Sequence, residues 1–157
     1  MLNKSLIILT LILLFAESTF AQIQTKEQAI ESINWVIDNP QLDSDSELEK
    51  KLADLLRWQM SRNPHVEMNV GGMSEIQNTA SNKKLFRAII SIYTCSTFIN
   101  EDYSKTESAV YAINNVLTYY KNALEIDDTL RIEILDEYIS YSDSELKGKM
   151  KKLSSYK

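Results

Sequence analysis

Asn82-Lys83-Lys84-Leu85-Phe86-Arg87-Ala88-Ile89-Ile90-Ser91-Ile92-Tyr93-Thr94-Cys95-Ser96-Thr97-Phe98-Ile99-Asn100 is the stretch that decides the fold class. Its apolar residues fall at Leu85, Phe86, Ala88, Ile89, Ile90, Ile92, Tyr93, Cys95, Phe98 and Ile99, which covers most of a helix's circumference rather than one stripe. A helix of that kind has to be enclosed by other elements. Ser91, Thr94, Ser96 and Thr97 interrupt it well short of the roughly 20 apolar residues that cross a bilayer. The spacing predicts a central helix over about 82–100.

The flanking sequence reads as the helices that enclose it. Thr25 with Gln28 forms a capping box, and Ala29, Ile30, Ile33, Val36 and Ile37 follow at helical spacing until Asn39-Pro40 ends the run. A second helix starts near Ser44 or Ser46, carries Leu48, Leu52, Leu55 and Leu56 on one face, and stops at Asn63-Pro64. Beyond the central helix, Ser104 with Glu107 opens a fourth, with Val110, Ile113, Val116, Leu117, Tyr120 and Leu124 inward. A fifth spans about Asp127 to Tyr141. Ser142 with Glu145 caps a last one carrying Leu146, Met150 and Leu153. The fold class expected is all-α: a single bundle of five to six amphipathic helices around the central one, with antiparallel neighbours wherever the links are short.

One segment breaks the helical rhythm. His65-Val66-Glu67-Met68-Asn69-Val70 alternates polar and apolar residues between Pro64 and Gly71-Gly72. Period two predicts a short extended piece near 65–70. Val66, Met68 and Val70 would pack inward and His65, Glu67 and Asn69 would face a partner. A plain cross-over joining two helices is the competing reading.

The N-terminus has the layout of a secretory leader. Lys4 precedes an apolar run from Leu6 to Phe15, and Thr19-Phe20-Ala21 places small residues three and one positions before Gln22. The expectation is a signal peptide over 1–21 and one helical domain over 22–157, periplasmic or secreted, with no transmembrane helix in the mature chain.

Composition bounds the chemistry. The net charge of −5 argues against nucleic acid as a partner, because phosphate contacts need a basic surface. There is one cysteine and one histidine. A lone Cys95 in an apolar stretch is either a buried small hydrophobe or the donor of an intermolecular disulfide. A Cys95–His65 dyad, a phosphate cradle at Gly71-Gly72, and a calcium loop at Asp43 to Glu47 each lack required parts. Met60, His65, Met68 and Met73 form a soft-ligand set for copper, but an extended 65–70 would point His65 and Met68 apart. No metal, cofactor or catalytic residue is therefore assigned. Glu133 and Glu137, one turn apart, read as a solvated helix face, and the lysines Lys147, Lys149, Lys151, Lys152 and Lys157 as a basic helix end.

Two candidate binding surfaces follow. One is His65, Glu67 and Asn69. The other is the side of the fourth helix opposite its core face, with Tyr111, Asn115, Thr118, Tyr119 and Asn122, since tyrosine rings and amides together suit recognition. The leader, the first helical pair, Asn63-Pro64-His65-Val66-Glu67-Met68-Asn69-Val70 and Asn115-Val116-Leu117-Thr118-Tyr119-Tyr120-Lys121-Asn122 together resemble a group of short exported bacterial all-helical proteins with no assigned function. The resemblance implies an exported helical protein and carries no catalytic residue over. The function expected is a non-enzymatic interaction or structural protein of the cell envelope or exterior, with a protein or envelope component as partner. The alternatives are a small-ligand or carbohydrate binder on the tyrosine–asparagine face, and an enzyme working with carboxylates alone.

Overall fold

A computed structural model describes residues 23–40, 46–62, 76, 82–100 and 102–154. These form six α-helices: α1 Lys26–Asp38, α2 Ser46–Arg62, α3 Lys83–Ile99, α4 Lys105–Ile126, α5 Glu133–Ser140 and α6 Asp143–Leu153, with a 3₁₀ turn at Asp128–Leu130. No described residue is in a strand. The expected extended piece near 65–70, with His65, Glu67 and Asn69, lies outside the described residues. So does Ser44, one of the two starts expected for α2.

The helix starts are written in short polar signals. At α1, α4 and α6 the N-cap hydroxyls of Thr25, Ser104 and Ser142 accept from the backbone N–H of Gln28, Glu107 and Glu145, whose side chains reach back to the N-cap backbone. Asn82 caps α3, its Oδ1 accepting from Lys84 and Leu85 N–H at 3.0 and 3.1 Å. Asn39 ends α1, its Nδ2 donating to the Trp35 carbonyl at 2.8 Å.

These caps make stability pH-dependent. Hydrogen bonds from Ser104 and Ser142 hold the Glu107 and Glu145 carboxyls below their ordinary 4.5. A carboxyl with a lowered folded-state value releases its proton more readily in the folded chain than in the unfolded one. Its contribution is therefore complete above the unfolded value and is lost as pH falls through the folded one. Thermal melts should show a lower Tm at about pH 3 than at about pH 6, and a smaller difference in a Ser104→Ala, Ser142→Ala double variant.

Cross-helix contacts give the directions. The Lys51 ammonium lies 5.6 Å from the Trp35 ring centroid, near the end of α1 and the start of α2, so these two are antiparallel. Between α2 and α3 the partners rise together: Glu49 with Arg87 at 2.6 Å, Leu55 with Cys95, and Trp58 edge-on to Phe98 at 5.3 Å. These helices are parallel. Between α3 and α4 the order reverses again, with Ser96 bonded to Asn115 and Asn100 to Ser108. The arrangement is up-down-down-up, a four-helix bundle with one long cross-over. Residues 63–82 join opposite ends of it, a distance of about 25 Å for the length of α2. Ile76, within that connection, is helical and fully buried.

The central position is shared. α3 packs on α1, α2 and α4, as its all-round apolar pattern requires, and α4 packs on α1, α3, α5, α6 and the 3₁₀ turn. After α4 the chain runs back along it: Tyr120 meets Ile132 and Asp136, and further on Lys147 lies near enough to Glu107 to lower its carboxyl. The single fifth helix expected over 127–141 is corrected to a 3₁₀ turn, an extended Arg131-Ile132 and a short α5. Asp127 causes the break by taking the Thr129 N–H and hydroxyl on one carboxylate oxygen, at 2.9 and 2.6 Å. A side chain that bonds nearby backbone offers the chain an alternative to the helix.

Candidate functional site

α4 carries the side chains singled out for recognition, and the bundle divides them between its interior and its surface. Tyr119 is fully buried. Asn115 is half-buried, and its Nδ2 donates to Ser96 Oγ at 3.0 Å. Asn122 is half-buried, and its Nδ2 donates to the Ile37 carbonyl at 2.9 Å. Tyr111 and Thr118 are exposed, the Thr118 hydroxyl donating to the Asn114 carbonyl at 2.9 Å. The expectation that all five lie opposite the core face is corrected for Tyr119, Asn115 and Asn122. The physical reason is the number of neighbours: with helices on several sides, α4 buries a much wider arc than one apolar stripe.

Three inward polar groups of α4, those of Ser108, Tyr120 and Asn122, finish other helices. A helix leaves its last carbonyls and first N–H groups without internal partners. Asn122 supplies a donor to Ile37 in the last turn of α1. Ser108 Oγ supplies one to the Asn100 carbonyl at the C-cap of α3, at 2.5 Å. At the start of α5, Ile132 has no side-chain cap of its own; the Tyr120 hydroxyl accepts from its N–H at 2.7 Å and donates to Asp136 Oδ1 at 3.1 Å. Tyr120 lies inward as its spacing predicts, but its bonding role, like those of Ser108 and Ser96, was not read from the sequence. Ser96 and Ser108 do carry a signal, as small hydroxyls at positions where the helical pattern calls for apolar residues.

Three other hydroxyls of α3 are consumed within the helix. Ser91, Thr94 and Thr97 donate to the carbonyls of Arg87, Ile90 and Tyr93 at 2.8, 2.9 and 2.8 Å. This is how a helix buried nearly all round accommodates them. Cys95 is fully buried, with its thiol 3.5 Å from the Leu55 carbonyl and 3.6 Å from Gln59 Oε1 across the α2–α3 interface. Burial pushes it up to about 12. A folded copy cannot offer this sulfur to a second chain, so the intermolecular disulfide is excluded for the native state. Metal and nucleophile chemistry need thiolate.

Adjacent tyrosines on α4 should respond with opposite signs. The Tyr119 hydroxyl has no hydrogen-bond partner among the described residues, and burial raises its pKa. Tyr119→Phe removes a buried unpaired donor and should stabilise by about 1 kcal/mol, whereas Tyr120→Phe strands the buried Ile132 N–H and should cost about 1–3 kcal/mol. Urea unfolding of the two variants checks both signs.

The outer side of α4 is a continuous exposed row: Glu107, Tyr111, Asn114, Thr118, Lys121 and Glu125, spaced three or four residues apart. It carries one ring, two amide or hydroxyl groups, and charges of both signs. Elsewhere, Glu133 and Glu137 are exposed, and Glu137 accepts from the Tyr141 hydroxyl. Lys149 lies 5.6 Å from the Tyr138 ring centroid. Met60 is exposed at the end of α2, while His65, Met68 and Met73 of the copper-type set lie outside the described residues. Among the described residues no three His, Cys, Asp or Glu side chains converge, and no helix is long and apolar enough to cross a membrane. Compared with known proteins, the chain matches no protein-family model, no curated protein and no solved structure.

Proposed function

We propose that this is an exported, non-enzymatic helical domain that works by binding another protein or a component of the cell envelope. The observation that carries the reading is the division of α4. Its inner groups Ser108, Tyr120 and Asn122 bond to the ends of α3, α5 and α1, and its outer row from Glu107 to Glu125 is exposed. A rigid helix presenting a ring, hydrogen-bonding groups and mixed charge is a surface for specific recognition rather than for solubility alone. The perturbed carboxyls support the same side of the question. Glu27, Glu107, Asp127 and Glu145 are all lowered by capping hydrogen bonds at exposed helix starts. General acid–base work needs the reverse, a carboxyl raised by burial beside an ionised partner. The leader pattern at Thr19-Phe20-Ala21 is what supports export.

The ligand-binding alternative drew on a face with two rings, and burial of Tyr119 leaves it Tyr111 alone. The test is affinity capture from the native envelope with the natural chain and with a Tyr111→Ala, Asn114→Ala, Thr118→Ala variant of equal stability. A partner held by the first and lost by the second supports the reading. Turnover of a substrate abolished by one carboxylate substitution contradicts it. Mass spectrometry of the natural product should find a chain beginning at Gln22, and an intact Met1 would contradict export.

A further inference from the structure

The exposed row on α4 is complementary to its own reverse. It runs from Glu107 to Glu125, and Tyr103, 62% exposed, extends it just ahead of the helix. Asn114 stands in the middle. Glu107 and Lys121 lie seven residues to either side of it, and Tyr103 and Glu125 eleven. A helix rises about 1.5 Å per residue, so the charges of Glu107 and Lys121 sit about 10 Å from Asn114 in opposite directions. A second α4 laid antiparallel across the first, with a two-fold axis at Asn114, brings Glu107 of each copy to Lys121 of the other. Tyr111 then meets Thr118. The two Asn114 amides meet each other, each able to donate through Nδ2 and accept through Oδ1. At the ends the Tyr103 hydroxyl, a donor, falls beside the Glu125 carboxylate.

Other pairings fail electrostatically. Parallel helices related by a two-fold set Glu107 on Glu107 and Lys121 on Lys121. Antiparallel helices centred two residues further along, at Val116, set Glu107 on Glu125. Like charges facing each other oppose both arrangements. The groups that do pair are not spent inside the chain. The side chains of Tyr103, Tyr111, Asn114, Lys121 and Glu125 make no hydrogen bond or ion pair among the described residues, unlike the inner Ser108, Tyr120 and Asn122. At Glu107 the Ser104 N–H and hydroxyl both donate to Oε2, at 3.2 and 2.6 Å, which leaves Oε1 for a partner. Lys147 lies near Glu107 but makes no ion pair with it. Resting on the recognition reading of this row, we propose that its partner is a second copy of the chain: two α4 helices pack antiparallel about Asn114 and hold the protein as a two-fold symmetric dimer. A single helix pair covers less than the roughly 1,200 Å² of a stable complex, so the dimer is reversible and forms with rising concentration. Its charge pairs lie towards the ends of the contact and fix the register.

Sedimentation of the purified natural chain from about 1 μM to about 1 mM should show a monomer giving way to a dimer. Glu107→Lys and Lys121→Glu each set like charges together twice per dimer, and each should weaken association roughly tenfold or more. An equimolar mixture of the two restores both ion pairs in the mixed dimer and should associate as the natural chain does. Glu107→Lys also removes a capping group, so a second pair of variants leaves the caps alone and decides by itself if that chain does not fold. Asn114→Cys, on the axis, should form a disulfide-linked dimer in a glutathione redox buffer at least roughly tenfold faster than Glu125→Cys, whose two copies stand about 33 Å apart. Cys95 is buried and takes no part. A natural chain that stays monomeric, a mixture of folded variants no better than its parts, or equal linking at the two positions overturns the dimer. The envelope capture described above separates the two readings. A monomer that still holds an envelope partner through Tyr111, Asn114 and Thr118 overturns the dimer and leaves the recognition reading standing, and a monomer that holds none overturns both.

Discussion

Ile92→Ala in the middle of α3 is expected to lower the free energy of unfolding by about 2–5 kcal/mol, the range for truncating a fully enclosed aliphatic side chain. Two residues earlier on the same helix, Ile90→Ala should cost clearly less. Ile92 has no exposed surface, and Ile90 is half-buried. The substitution is chemically the same at both sites, so helix propensity cancels and the difference reports enclosure. Ile92 faces the interior at the one helix that packs on α1, α2 and α4 together. The hole left there can be closed only by moving helices that are braced elsewhere. Denaturant midpoints with unchanged slopes would give the comparison directly. Equal costs at the two positions would mean that α3 is not enclosed in the way described.

The second large effect concerns Cys95, the only thiol of the chain. Labelling by a thiol reagent at about pH 8 is expected to be at least roughly a thousandfold slower in the native protein than in denaturant. Two causes act together. Burial pushes the thiol up to about 12, which starves it of the reactive thiolate. Access also requires α2 to part from α3, an opening that approaches the global unfolding free energy for a core helix. Labelling in the native state should therefore track the unfolding equilibrium and accelerate with denaturant. A rate matching that of an exposed thiol would contradict the α2–α3 interface.

Much of the fold was legible because it is specified locally. Thr25 with Gln28, Ser104 with Glu107, and Ser142 with Glu145 each form the capping box that their spacing announces. The stretch from Asn82 to Asn100 became a helix bounded by those two asparagines. The direction of α3 was not legible. Periodicity says which face is apolar and nothing about which way a helix runs, and the long connection over 63–82 makes α2 and α3 parallel. The surface of α4 was misread for a related reason. Tyr119 and Asn122 look polar and outward if one stripe is buried, but α4 has neighbours on several sides. The break at Asp127 to Ile132 was missed because the apolar spacing runs on through it, whereas Asp127 and Tyr120 capture the backbone that a continuous helix would have used.

The central claim is that α4 divides into an inner polar set that bonds to the ends of its neighbours and an exposed outer row that packs on none of the core. Urea unfolding of two triple variants measures this most directly. Ser108→Ala, Tyr120→Phe, Asn122→Ala removes donors and acceptors at the ends of α1, α3 and α5, and should cost about 3 kcal/mol or more in total. Tyr111→Ala, Asn114→Ala, Thr118→Ala changes only the outer row, and should leave stability within about 0.5 kcal/mol per site or raise it, because alanine favours the helix. An inner triple as stable as the natural chain, or an outer triple that unfolds, would contradict the division of α4.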